Sequence, residues 1–318
     1  MKMTVLDGYA LNPGDNPWDE IAALGELTVY DRTPREYIVE RSRGSTVLFT
    51  NKTPLGPAEF DALSEVKLVC VLATGYNIVD TAAAAERGIP VCNIPSYGTD
   101  SVAELVLALI LEQAKNVAAH ANAVARGAWS AQPDYSFWLT PQRELAGKTV
   151  GIVGFGRIGR RVGELCTAFG MRVIAYAPRP KDAPDWPGFE FVSLEELLGS
   201  SDYVSLNCPL TAENTRMINA ERLSLMKPGA YLINTARGPL VDAGALKAAV
   251  LSGRLSGAAL DVLDTEPPKA DNPLIGVENI TVTPHIAWAT VEARGRLMHT
   301  AAENVKAWLG GSPVNRVN

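Results

Sequence analysis

Cysteine, histidine and basic charge are all scarce in this sequence, and none of its apolar runs is long. Four cysteines (Cys70, Cys92, Cys166, Cys208) and three histidines stand in 318 residues. The cysteines are widely spaced, with no CxxC pair and no paired-histidine motif. That spacing argues against a disulfide framework or a zinc site and for buried thiols in a reducing compartment, so no metal is expected. Lys and Arg number 29 against 35 Asp and Glu, a net charge of -6. A general nucleic-acid binder needs a concentrated basic face, which this balance disfavours, although a local pocket for a small anion remains open. The strongest candidate for a membrane span, residues 105–111, is bracketed by Glu104 and Glu112 and falls well short of the ~18 apolar residues required. Residues 1–6 run straight into Asp7 with no signal-type apolar block. A soluble cytoplasmic protein is the expectation.

What is present is a folding composition, 47 % apolar and 20 % charged, in a chain long enough for about two domains. Short runs rich in Val, Ile and Leu recur at residues 3–6, 28–31, 46–51, 67–73 and 90–94, with helical stretches between them, including 56–63 and 79–87. Such continuous apolar strands separated by helices predict parallel sheets covered on both faces. One long helix is predicted over about residues 100–127, capped by Thr99, Asp100 or Ser101 and apolar on more than one side. An irregular section at 128–142 carries Trp129, Tyr135, Phe137 and Trp138. This aromatic loop reads either as a lid over a local core or as an arm gripping a second subunit. A second series of strands follows at 149–154, 172–177, 203–208, 230–235, 257–262 and 280–283. The last helix, 290–309, is expected to be amphipathic, with Arg294, His299 and Lys306 on its polar side. No repeat or low-complexity tract interrupts the series.

The strand at 149–153 runs into Gly154-Phe155-Gly156-Arg157-Ile158-Gly159 and then a helix. In that setting each glycine has its own use. The first permits a tight turn, and the second lets backbone approach a pyrophosphate. The third packs helix against strand, aiming the helix N-terminus at the phosphates. A dinucleotide site is therefore predicted, with Gly154, Gly156, Arg157, Ile158 and Gly159 in the cradle. Where an NAD site normally carries Asp or Glu at the end of the next strand, this chain has Ala177, followed by Arg179 and Lys181. Loss of the acid removes repulsion against a ribose 2′-phosphate and Arg offers it a charge-assisted fork, so NADP(H) is favoured, with NAD(H) possible. The plainer alternative is that Ala177 only loosens ribose binding while Arg179 points to water.

Three more signals follow, each just beyond the carboxyl end of a predicted parallel strand, where open α/β sheets bind ligands. They are Asn234-Thr235-Ala236-Arg237-Gly238, Asp264-Thr265-Glu266-Pro267-Pro268 and Thr283-Pro284-His285-Ile286-Ala287-Trp288. Together with the glycine motif, with Leu72-Ala73-Thr74-Gly75-Tyr76-Asn77 and with Thr99-Asp100-Ser101-Val102-Ala103-Glu104, the chain resembles the D-isomer-specific 2-hydroxyacid dehydrogenases over nearly its full length. Asn51-Lys52-Thr53, Phe137-Trp138 and His285-Ile286-Ala287-Trp288 look like the glycerate dehydrogenase/hydroxypyruvate (glyoxylate) reductase branch.

The resemblance implies two Rossmann-like parallel-sheet domains, the dinucleotide-binding one (99–288) inserted into a substrate-binding one (1–98 and 289–318). Hinges would lie near residues 95–98 and 289–290, with substrate in the cleft. It implies Arg237, Glu266 and His285 as the catalytic set, acting on a small 2-oxo acid and its D-2-hydroxy acid. An unperturbed imidazole titrates at about 6.5 and can deliver a proton near neutrality, while Glu266 orients the ring and Arg237 pairs with the substrate carboxylate. Backbone N–H groups of Thr74 and Gly75 would complete the carboxylate site and Trp288 would cap the substrate. Asp261 and the carbonyl of Thr235 would hold the nicotinamide carboxamide, and Cys208-Pro209 would line the adenosine side. The aromatic loop and long helix resemble the family's dimer arm, which implies a homodimer and leaves open whether Trp138 reaches the partner's active site. His120 and His299 are read as structural. The rival class is a dinucleotide-sensing binding protein of the corepressor type on the same fold, which the absence of an added interaction tail disfavours.

Overall fold

A computed structural model describes residues 1–180 and 182–318, so Lys181, noted above as following Arg179, lies outside the described residues. The chain divides into two units, Met1–Gly98 with Trp288–Asn318, and Thr99–Ala287.

In the first unit the apolar runs form β1 (Lys2–Val5), β2 (Glu26–Val29), β3 (Val47–Thr50), β4 (Leu68–Val71) and β5 (Val91–Cys92). Between them lie helices α1 (Asp19–Ala22), α2 (Ile38–Ser42), α3 (Pro57–Ala62) and α4 (Thr81–Glu86). The strands pair in parallel in the order β2-β1-β3-β4-β5. Every residue of β3 and β4 is buried, because alternate side chains feed two different cores. Met3, Phe49, Cys70 and Leu72 pack on one face, and Leu48, Val69 and Val71 on the other with Phe60 and Ile38. The Asp7 carboxylate, just past β1, accepts the backbone N–H groups of Asn51, Lys52 and Thr53 at 2.8, 2.5 and 2.7 Å and so shapes the loop after β3.

The second unit begins with α5 (Thr99–Lys115) and α6 (Val117–Ala125), then β6 (Thr149–Val153), α7 (Arg157–Ala168), β7 (Arg172–Tyr176) and β8 (Glu190–Phe191). It continues through α8 (Leu194–Ser200), β9 (Tyr203–Leu206), α9 (Ala220–Leu225), β10 (Tyr231–Asn234), α10 (Ala243–Leu251), β11 (Gly257–Leu260) and β12 (Ile280–Val282). Its strands are parallel in the order β12-β11-β10-β9-β6-β7-β8. The order reverses direction at β6 and β9, which opens a crevice at their carboxyl ends where a ligand can enter. Helix α11 (Val291–Leu309) closes the chain within the first unit.

Some expectations change. The single helix predicted over 100–127 is two helices, because Asn116 adopts a left-handed backbone (φ 48°) between α5 and α6. Asn is among the few side chains that tolerate that region. Arg294 does not lie on the polar side of α11: it is buried, donating to the carbonyls of Leu11 and Ala289 and gripping Asp15 through two 2.6 Å bonds. The aromatic loop is no lid over a local core, since Trp129, Tyr135, Trp138 and Leu139 are 50, 91, 69 and 52 % exposed. It is tied down instead by His120, whose Nε2 accepts the Leu139 N–H at 2.9 Å. The two-residue strand β8 carried too short a pattern to be anticipated.

The hydrogen bond from Arg294 holds the Asp15 carboxyl below its ordinary value. A carboxyl lowered by folding stabilises the fold above its unfolded value and loses that contribution as pH falls below about 3.9. Asp15→Asn is therefore expected to lower Tm at pH 7 and to differ less from wild type at pH 3. A Tm gap of equal size at both pH values would contradict this.

Candidate active site

The turn after β6 shows what the glycine motif is for. Gly154 sits at φ 94°, and a Cβ there would lie 2.6 Å from the backbone nitrogen of Cys208. A side chain at Gly159 would meet the Gly154 carbonyl at 2.2 Å, so this residue lets α7 press against the turn. Gly156 is different: it is exposed, and a Cβ there would meet nothing within 4 Å. The open space lies at the mouth of α7, whose first residues are Arg157 and Ile158 and whose N-cap, Gly156, offers no side-chain cap. Two packing glycines and one facing empty space fit a backbone cradle for pyrophosphate. Nearby on β9's loop, Asn207 donates its side-chain amide to Ser205, while its Oδ1 is buried and unpaired. Thr235 Oγ1, after β10, is likewise buried without a partner. Cys208 is half-buried, its thiol pushed up by burial, and Pro209 follows at the surface. These residues fit a nicotinamide dinucleotide. Ala177, the residue after β7, is half-buried, and Arg179 is exposed with no hydrogen bond or ion pair among the described residues.

The catalytic candidates emerge from the ends of β10, β11 and β12. Asp261, next after β11, is 1 % exposed, and its carboxylate is surrounded by donors from one segment. Thr283 Oγ1 and the Ile286 N–H bond Oδ1 at 2.5 and 3.0 Å, and the Ala287 N–H bonds Oδ2 at 2.8 Å. The Asp261 carbonyl accepts the His285 N–H at 2.9 Å. From α5, Ser101 Oγ donates to the Ala287 carbonyl at 2.5 Å. This fastening holds His285 in a left-handed backbone conformation (φ 55°), which an unrestrained His seldom occupies. Its Nδ1 lies 2.5 Å from Glu266 Oε2, and Glu266 Oε1 accepts the Leu263 N–H at 2.9 Å. The carboxylate therefore has a fixed orientation and the ring is held through Nδ1, leaving Nε2 without a partner among the described residues.

Arg237 is exposed and, among the described residues, donates Nη1 to the Ala236 carbonyl at 2.7 Å. Gly238 then brings this loop against the next: a Cβ there would overlap Leu263, 1.9 Å from its carbonyl carbon. The loop bearing Arg237 thus touches the residue whose N–H orients Glu266. Second-unit strand ends therefore gather Arg237, Glu266 and His285 with Thr235 and Asp261. Thr74 and Gly75 follow β4 in the first unit, where Thr74 Oγ1 donates to the Ile94 carbonyl at 2.8 Å. Trp288 also belongs to that unit, its ring edge-to-face with Tyr97 at 6.3 Å. Sequence reasoning missed the fastening roles of Ser101, Thr283 and Gly238, since nothing local marks a partner so distant in the chain. Among the described residues no group of three or more His, Cys, Asp or Glu is placed to hold a metal.

Residues 107–287 match the family model described as D-isomer specific 2-hydroxyacid dehydrogenase, NAD binding domain. The chain is 46 % identical over 321 residues to a hydroxypyruvate reductase of Blautia hydrogenotrophica, covering 100 % of both chains. It is 40 % identical over 287 residues to a glycerate dehydrogenase of Methylorubrum extorquens, covering 90 % of this chain and 89 % of that one. The solved TT0316 protein of Thermus thermophilus superposes with a TM-score of 0.89 at 38 % identity over the whole of both chains. The chain belongs to the D-isomer specific 2-hydroxyacid dehydrogenases. It is an oxidoreductase of 2-oxo and 2-hydroxy acids that uses a nicotinamide dinucleotide.

The glycines separate folding from binding. Gly156→Ala is expected to keep Tm close to wild type, within the ~1 kcal/mol of a tolerated surface change, yet weaken NAD(P)H binding in a fluorescence titration. Gly154→Ala is expected to lower Tm, because its Cβ has no room. Unchanged NAD(P)H affinity in Gly156→Ala would contradict the cradle.

Proposed function

We propose that this chain interconverts a small 2-oxo acid, hydroxypyruvate or glyoxylate, and its D-2-hydroxy acid, with His285 as proton donor in reduction and acceptor in oxidation. The bound dinucleotide supplies or takes the hydride at C2. The observation that carries this reading is the imidazole held through Nδ1 by an oriented Glu266, which leaves Nε2 to exchange the proton of the C2 oxygen. Glu266, bonded to Nδ1, fixes the tautomer and the orientation of the ring. Arg237 has guanidinium N–H groups left over after its bond to Ala236. They pair with the substrate carboxylate and stabilise negative charge developing on the ketone oxygen. Thr74, Gly75 and Trp288 are further substrate contacts in this proposal, and Asp261 and the Thr235 carbonyl hold the carboxamide.

NADP(H) is the favoured cofactor, supported by Ala177 in place of an acid and by an Arg179 with no competing partner among the described residues. NAD(H) is the alternative cofactor. The exposed aromatics at 129–139 support a homodimer, the free thiols support a cytoplasmic location, and the net charge of -6 disfavours nucleic-acid partners. Burial pushes Cys92 up to about 11 and Cys166 up to about 12, which keeps them protonated and unreactive.

His285→Ala is expected to lower kcat by about 10²–10⁴-fold, the usual worth of a general acid, with NAD(P)H affinity retained. Near-wild-type turnover would overturn the proton-donor role. Steady-state kinetics are expected to give a larger kcat/KM for NADPH than for NADH, and Arg179→Ala to shrink the ratio. A larger kcat/KM for NADH would overturn the cofactor preference.

A further inference from the structure

We propose that Asn234 is the positioning residue for Arg237, setting the guanidinium through a two-point clamp on the turn that carries it. The inference rests on the reading of Arg237 as the substrate's carboxylate partner. Asn234 ends β10 and is 1 % exposed, so its amide must find partners inside the protein. It finds them within three residues. Oδ1 accepts the Ala236 N–H at 3.0 Å, and Nδ2 donates to the Arg237 carbonyl at 2.9 Å. Ala236, held on its N–H side by Asn234, also receives, on its carbonyl, Nη1 of Arg237 at 2.7 Å. One amide therefore fixes the Arg237 backbone directly and its guanidinium by way of Ala236.

The same residue is tied to the other half of the site. Its carbonyl accepts the Asp261 N–H at 2.9 Å, and the Asp261 carbonyl accepts the His285 N–H at 2.9 Å. The amide is uniquely suited because the clamp needs one acceptor and one donor on a short, planar group. Aspartate has the same shape and lacks the donor. As a carboxylate it would set oxygen against the Arg237 carbonyl and draw the guanidinium inward. Protonated, it recovers an O–H to donate. Serine retains an acceptor for Ala236 and cannot span to Arg237.

The test uses the full-length enzyme with NADPH and hydroxypyruvate, comparing wild type, Asn234→Asp, Asn234→Ser, Arg237→Ala and the double variant Asn234→Asp/Arg237→Ala. Asn234→Asp is expected to lower kcat/KM by about 10²-fold, the scale of an ångström-sized misplacement, while NADPH affinity stays within about twofold. Its deficit relative to wild type is expected to shrink as pH falls and the new carboxyl protonates. Added to Arg237→Ala, the substitution is expected to cost no more than about twofold further, as coupled positions do. Asn234→Ser is expected to show the same loss without the recovery at low pH, and gives the answer should Asn234→Asp fail to fold. Full additivity with Arg237→Ala, or equal loss of NADPH affinity, would overturn the role of Asn234 alone. Wild-type kcat/KM in Arg237→Ala would instead overturn the reading of Arg237 on which it rests.

Discussion

The buried carboxylate of Asp261 is the constraint on which the catalytic edge depends. A carboxylate at 1 % exposure is costly unless its lone pairs are met, and here they are met by Thr283, Ile286 and Ala287. The need to satisfy one charge therefore fixes the path of the segment bearing His285, including a backbone angle that the residue would not hold alone. From there the order propagates: His285 meets Glu266, Glu266 meets the Leu263 N–H, and Leu263 lies against Gly238 beside Arg237. Reacting groups from separate strand ends are set relative to one another by backbone and buried polar contacts, which is what preorganisation of a charged site requires.

The parallel sheet makes this arrangement possible. With every strand of the second unit running the same way, the segments after β6, β9, β10, β11 and β12 all leave from one edge. The glycine turn and the later strand ends, with Arg237, Glu266 and His285, therefore open toward the same side of the sheet. Glycine appears where contact is closest: Gly154 admits the loop after β9, Gly159 lets α7 approach the turn, and Gly238 lets the loops bearing Arg237 and Glu266 touch. The overall negative charge has little bearing on such a pocket, because the charges and helix N-termini nearest a ligand outweigh the sum over the surface.

Much of this was legible in the sequence because strands and cradle glycines obey local rules. Runs of Val, Ile and Leu marked both sheets, and the glycine spacing between strand and helix marked the nucleotide turn. The placement of Arg237, Glu266 and His285 just after strands was legible from the alternation of strand and helix. Legibility failed where the outcome depended on distant partners. Asn116 ended a helix whose apolar pattern continued through it, because a single left-handed residue leaves little trace in periodicity. Arg294 looked like surface charge and is buried, because Asp15, far away in sequence, supplies its counter-charge. Asp261 was legible as a polar residue at a strand end, while its grip on residues 283–287 emerged only from the folded backbone.

If the strand ends hold the dinucleotide's hydride and the His285 proton against one face of a small 2-oxo acid, the product has a single hand. Chiral analysis after NADPH-driven hydroxypyruvate reduction reads this out. D-glycerate is expected, formed stoichiometrically with NADPH consumed. L-glycerate, or no consumption of NADPH or NADH with hydroxypyruvate or glyoxylate, would contradict it.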